Sequence, residues 1–174
     1  MEKNAANWYA LKVFYNKVFE LEDLLKDHIM ESYVPVQVVE KIVKGERTYV
    51  QKPAISSLLF ILASDEQAER LLPVIEGKAM FYRNVGSKLP TAIPEREMRI
   101  FKLVTSVQKD GLDFLDGNVA RFCTGQRVRV TAGPFQGCEG FIHRIKGNRR
   151  LVVTIEGIVA VATSYIPAAF LQPV

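Results

Sequence analysis

The sequence predicts an α+β chain in two parts: an antiparallel sheet flanked by helices, then a small five-stranded β-barrel of the SH3-like kind. Three observations carry this. Up to Val107 the apolar period switches between two and 3.6 residues and gives the order β-α-β-β-β-α-β-α. From Arg127 onward, short apolar runs recur at close spacing between glycine-containing turns, as in a barrel. Between these blocks, Gln108-Lys-Asp-Gly-Leu-Asp-Phe-Leu-Asp-Gly-Asn118 interrupts every period and reads as an interdomain linker. The competing reading is a long loop closing one domain, with Leu112, Phe114 and Leu115 docking on a neighbour. The expected boundaries are therefore 1–107, a linker at 108–120, and 121–174.

The elements follow in order. Trp8-Tyr-Ala-Leu-Lys-Val-Phe14 is aromatic and aliphatic with no breaker, and reads as a strand. Val18, Leu21, Leu24, Leu25 and Ile29 then fall on one helical face, with acidic residues and lysine elsewhere. His28 borders that face as a packing residue. Tyr33–Val43 is β-rich, Lys44-Gly-Glu-Arg47 turns the chain, and Thr48–Gln51 returns as a hairpin. Leu58-Leu-Phe-Ile-Leu-Ala63 is continuously apolar, as in a central strand covered on both faces. Ser64 and Gln67 form a capping-box pair ahead of a helix carrying Ala68, Leu71, Leu72 and Ile75, which Pro73 kinks or shortens. Ala79–Arg83 reads as a strand and Asn84–Thr91 as a loop. Pro94 suits a first helical position, Glu95 and Glu97 suit a helix N-terminus, and Met98, Phe101 and Thr105 point to the core.

In the second block, Val128 and Val130 alternate with Arg127, Arg129 and Thr131, the pattern of a half-buried strand. Gly133-Pro134-Phe135 breaks it, and Gly140 suits a bulge or a close backbone approach. Phe141, Ile142 and Ile145 resume the pattern. Arg149–Ile155, Ile158–Thr163 and Ala168–Leu171 complete the barrel. The β-branched runs Val152–Ile155 and Ile158–Val161 favour that barrel over a helical alternative.

Composition narrows the function. The chain has 174 residues, 48% of them hydrophobic, so it can bury a core. No apolar run approaches the roughly 20 residues that span a bilayer. Met1–Asn7 leads into Trp8 without an apolar signal core, so a cytoplasmic location is expected. Cys123 and Cys138 make no disulfide framework and read as buried or half-buried thiols. With only His28 and His143 beside them, metal-site spacing is lacking and no metal or cofactor is expected. Nucleophile elbow, P-loop and dinucleotide fingerprints are all missing, so a binding protein is expected, not an enzyme. Residues 121–174 hold seven basic and two acidic groups, whereas the rest holds sixteen basic and seventeen acidic. The net +4 thus resides in the C-terminal third, which suits a polyanion or an acidic protein surface, or is simply a solvated basic face.

The stretch Gly125–Ile142, with its strand, Gly-Pro-Phe turn and strand, resembles the KOW motif of ribosomal and transcription-elongation proteins. Together with Trp8-Tyr9, the helix that follows and the element order, nearly the whole chain resembles the NusG family of bacterial transcription elongation factors. The resemblance implies an N-terminal domain that binds the RNA polymerase clamp and suppresses pausing, and a KOW domain that recruits a further factor such as Rho or a ribosomal protein. It implies a monomer with no membrane partner. It places the polymerase-facing patch at Trp8, Phe14, Tyr15, Ile55 and Leu58. Trp8 and Phe14 share strand parity, so from the residues alone both also read as core. The resemblance further implies a contact to non-template DNA or nascent RNA at Lys17, Arg83, Asn84 and Lys88, and a KOW partner face at Phe135, Cys138, Arg144 and Arg149.

Two departures point to a specialised member. Ile55-Ser-Ser-Leu-Leu59 stands where the housekeeping factors carry a Phe-Pro-Gly-Tyr-Val-like segment, and Cys138 stands where a second turn aromatic is usual. The chain looks most like the UpxY-type antiterminators of surface-polysaccharide operons in Bacteroides-type bacteria. That implies operon-specific antitermination. The alternative is an RNA-binding module acting mainly through the basic barrel, with Arg127, Arg129, Arg144, Lys146, Arg149 and Arg150 on phosphates.

Overall fold

A computed structural model describes residues 5–107, 111–115 and 119–174. These residues fall into two compact units that divide after Glu95.

The first unit is built on an antiparallel sheet of four strands in the order β2-β5-β1-β6. They are β1 (Ala6–Val13), β2 (Glu31–Tyr33), β5 (Leu58–Ser64) and β6 (Ala79–Phe81). β5 lies between β1 and β2, as its continuous apolar run requires. Two helices, α1 (Val18–Leu25) and α2 (Asp65–Ile75), cover one face. Tyr9, Leu11 and Val13 of β1 turn to that face and pack with Leu59 and Ile61 into one buried cluster. Each such side chain contributes about 1.5–3 kcal/mol on burial. The expected capping box at the start of α2 is formed in full: Gln67 N–H donates to Ser64 Oγ at 3.2 Å, and Ser64 N–H donates to Gln67 Oε1 at 2.9 Å. Pro73 lies inside α2, which ends at Ile75.

One stretch differs from the sequence reading. Tyr33–Val43 is not a single strand. It breaks at Val34-Pro35, where proline lacks the N–H a ladder needs. β2 stays in the main sheet, and β3 (Val36–Val43) leaves to pair only with β4 (Glu46–Pro53).

The second unit opens with α3 (Glu95–Val107), in which Met98, Phe101 and Thr105 are buried as expected. Its sheet has six strands in the order β12-β8-β9-β10-β11-β7. Five belong to the expected barrel: β8 (Arg127–Val130), β9 (Glu139–Ile145), β10 (Asn148–Ile155), β11 (Val159–Ala162) and β12 (Leu171–Pro173). The chain enters β12 through a 3-10 turn at Ala168–Phe170, where a strand start was expected. The sixth strand, β7 (Asp113–Leu115), comes from the stretch expected as linker and pairs with β11. A 3-10 turn at Val119–Cys123 follows, and Leu115, Val119 and Phe122 pack on Val152, Ala160 and Ala162. The apolar residues scattered among the aspartates and glycines thus find an apolar face. The remaining linker positions, 108–110 and 116–118, lie outside the described residues.

Gly140 is where the backbone approach is closest. A Cβ there would sit 2.3 Å from the Val152 carbonyl oxygen, so no larger residue fits without moving β10. Gly133 has φ +82°, as the turn after β8 requires.

Candidate functional site

The first site gathers at one end of the first unit's sheet. β1 stops at Val13, and Tyr15 and Asn16 both take left-handed backbone angles, φ 60° and 56°. For a non-glycine residue this costs about 1–2 kcal/mol, and asparagine tolerates it better than tyrosine. The double turn swings the chain out of the strand plane before α1 begins. Phe14 lies just past the end of β1, immediately before this turn. Phe14 is half-buried, and Tyr15 is 81% exposed, with its ring edge-on to Phe14 at 6.4 Å. Phe14 N–H donates to the Lys78 carbonyl at 2.8 Å, and Val13 N–H donates to the Ser57 carbonyl at 2.8 Å. These bonds tie the exit of β1 to the start of β6 and to the link carrying half-buried Ile55. Between Phe14, Lys17, Leu21, Leu24 and Lys78 opens a pocket of about 470 Å³. The arrangement presents an exposed aromatic over an apolar hollow with a lysine rim, which suits the anchor of a protein partner.

Two residues expected on this surface are interior. Trp8 is 7% exposed and Leu58 2%. Trp8 stands opposite Leu62 and Leu58 opposite Lys12 in the ladder, so both belong to the sheet face opposite Tyr9 and Leu11. The expectation that they touch a partner directly is corrected: the outer layer here is Phe14, Tyr15 and Ile55.

The expected nucleic-acid residues do not form one surface. Lys17 belongs to the aromatic pocket. Arg83, Asn84 and Lys88 are exposed on the loop after β6, and Arg83 and Lys88 line a second pocket of about 540 Å³ with Asn7, Tyr9, Asp65 and Leu89. This pocket lies toward the start of β1, a strand spanning roughly 25 Å. Its polar floor is organised. Tyr9 Oη donates to Asp65, and Asn7 Nδ2 donates to Asp65 Oδ1 at 3.3 Å. Burial, and then the Asp65 carboxyl, push the Tyr9 phenol up to about 12. Sequence reasoning did not find Asn7, Asp65 or Leu89, because their convergence depends on the β1–β5 register that sets Ala6 opposite Ser64.

The barrel residues divide as well. Phe135 and Cys138 are buried, so the expected partner contact through them is corrected. The turn folds back on itself: Gly137 N–H donates to the Val130 carbonyl at 2.8 Å and Cys138 N–H to that of Phe135 at 3.0 Å. Burial raises the Cys138 thiol to about 11, so it is an inert packing group. Arg144 and Arg149 are exposed and directly opposite one another on β9 and β10. Other basic side chains are occupied. Arg127, Arg129 and Arg96 converge on buried Glu139 at 2.9, 2.6 and 2.5 Å. Arg129 foremost holds the Glu139 carboxyl below its ordinary range. Arg150 and Lys146 both pair with Asp113 of β7, and Arg150 also donates to the Gly111 carbonyl at 2.6 Å. Among the described residues, no group of His, Cys, Asp and Glu is placed to hold a metal ion. No described helix is long and apolar enough to cross a membrane.

Comparison with known proteins agrees with this architecture. The family model described as "Transcription termination factor nusG" matches residues 6–102, more than half of the chain. A solved structure of NusG from Thermotoga maritima, reported for domain interaction in that protein, superposes with a TM-score of 0.53 over 98% of each chain at 15% identity. At that identity the likeness shows a common fold.

Proposed function

Because this chain belongs to the NusG family of transcription factors, we propose that it is an operon-specific antitermination and elongation factor whose first unit docks on the clamp of RNA polymerase. The observation that carries this is the outward pair Phe14–Tyr15, held by two left-handed residues over an apolar pocket. Strain of that kind persists where the surrounding structure enforces it, and it marks functional positions. Phe14, Tyr15 and Ile55 form the contact layer, with buried Leu58 at the same end of the sheet. Docking that favours the closed clamp disfavours the paused state by the difference in affinity between the two. The Arg83–Lys88 loop contacts non-template DNA or nascent RNA beside the polymerase. The barrel recruits a further factor, Rho or a ribosomal protein among the candidates. The altered Ile55–Leu59 segment and the aliphatic-sized Cys138 support a specialised role of the polysaccharide-operon kind. We take 1–107 as the polymerase-binding portion and 121–174 as the recruiting portion.

The test is terminator read-through by core polymerase in vitro with the full chain. Wild type is expected to raise read-through, and the Tyr15→Ala/Ile55→Asp double variant to lose the effect while remaining folded. Equal read-through by both proteins would exclude this surface. Replacing Arg83 and Lys88 by Ala is expected to weaken recruitment to the target operon; unchanged recruitment would remove the nucleic-acid contact.

A further inference from the structure

The C-terminal charge looks like a broad basic surface in the sequence, but the fold spends most of it internally. Arg127 and Arg129 are committed to Glu139, and Arg150 and Lys146 to Asp113. Arg121 lies over the Phe122 ring at 4.5 Å. Among the described residues, Arg144 and Arg149 have no acidic partner, and they face each other across the β9–β10 ladder. Like charges placed directly opposite destabilise a sheet. An anion between them would reverse that cost, and guanidinium forks suit phosphate oxygens.

The same sheet face continues into a groove. Ile142 stands opposite Leu151, two residues along each strand from the arginine pair. With Val128 and Gln126 they line a hollow of about 390 Å³, within the range of small-ligand sites. Arg149 forms one wall and Tyr165 another. Tyr165 is 75% exposed although its neighbour Ile166 is buried, so the backbone is anchored while the ring stands in solvent. An acidic peptide would satisfy the arginines but leave the aromatic wall and apolar floor unused. A nucleotide strand uses all three, since every base has a π-face and every residue a phosphate.

We propose that this groove binds a single-stranded nucleic acid, with one base on Tyr165 and neighbouring phosphates held by Arg144 and Arg149. The proposal goes beyond polymerase docking and shares no residue with it. It also reduces the six-residue phosphate surface expected from sequence to two arginines and adds the tyrosine, which sequence reasoning passed over. The available signal was a lone aromatic in Ser164-Tyr-Ile-Pro167, a segment with no strand pattern of its own.

The experiment is fluorescence anisotropy with the full chain and three probes: an oligouridine RNA of about ten nucleotides, an oligothymidine DNA of equal length, and a glutamate-rich peptide. Tyr165→Ala is expected to weaken oligonucleotide binding roughly 5- to 150-fold, whereas Tyr165→Phe retains it. Arg144→Ala and Arg149→Ala are each expected to lower the slope of log affinity against log salt by about 0.7. Arg127→Ala, whose guanidinium is held by Glu139, is the control that leaves both readings in place. RNA binding tighter than DNA identifies nascent RNA as the source, and the reverse identifies an exposed DNA strand; both support the site. A folded chain that binds neither oligonucleotide, a Tyr165→Ala variant that binds as wild type does, or a peptide bound as tightly with the same losses would overturn the proposal. Polymerase co-purification of the same variants reports separately on the docking surface.

Discussion

Two aromatic turns were expected to face partners, and the fold treats them in opposite ways. The turn after β1 puts Tyr15 and Asn16 on left-handed, non-glycine backbone beside Phe14 and leaves Tyr15 in solvent. The turn after β8 also bends sharply, but there Gly133 and Gly137 take the positive φ, four backbone hydrogen bonds close the loop, and Phe135 returns to the interior. An aromatic beside a turn is therefore not a binding feature by composition. What differs is where the ring ends: the first turn leaves Tyr15 in solvent, and the second is a barrel corner that buries Phe135 with a buried thiol beside it.

This comparison can be broken at several points. The largest effect is expected at Leu58→Asp, which puts a carboxylate into the sheet interior; about 4 kcal/mol or more should be lost, and urea unfolding should show no native baseline. Tyr15→Ala, at the same sheet end but outside, should change stability by less than about 0.5 kcal/mol. If the two variants were equally stable, the assignment of inner and outer layers would fail. Next is Gly140→Ala, where the added methyl meets the Val152 carbonyl; about 1–3 kcal/mol is expected, read as a lowered thermal midpoint for the barrel.

The two units should also respond oppositely to pH. Glu139 and Asp113 are held below their ordinary values by arginine partners, so their contribution is present above the unfolded carboxylate range and is lost as pH falls through the lowered folded values. Tyr9 is held high, at about 12 against 10.0, so its contribution is complete below pH 10.0 and disappears as pH rises through about 12. Barrel tertiary signals should fade first in acid and those of the first unit first in alkali. Loss in the same order at both extremes would contradict the two networks. Tyr15→Gly should be neutral or stabilising by up to about 1 kcal/mol because glycine relieves the left-handed strain.

Much of this architecture was legible in the sequence because local chemistry enforced it. The Ser64/Gln67 box, the continuous run Leu58–Ala63 and the tight approach at Gly140 each follow from residue type and spacing. The break at Val34-Pro35 was legible too, but the β-rich flanks masked it. Side-chain exposure was legible only in part: Trp8 as core, Leu58 in a strand covered on both faces and Cys138 as a buried thiol follow from residue pattern, whereas Phe135 is interior because its turn closes on itself. The strand at Asp113–Leu115 was hidden for a related reason, since its partner β11 lies far along the chain. Pockets that join Asn7 to Arg83, or Arg149 to Tyr165, need tertiary folding before they exist.

The most direct measurement is the affinity of the full chain for core RNA polymerase, compared between wild type and Tyr15→Gly. The account predicts a variant at least as stable as wild type whose polymerase binding is weakened about tenfold or more, as for the loss of an interface anchor. A Tyr15→Gly protein that binds polymerase as wild type does would show that the strained aromatic turn is not the docking surface.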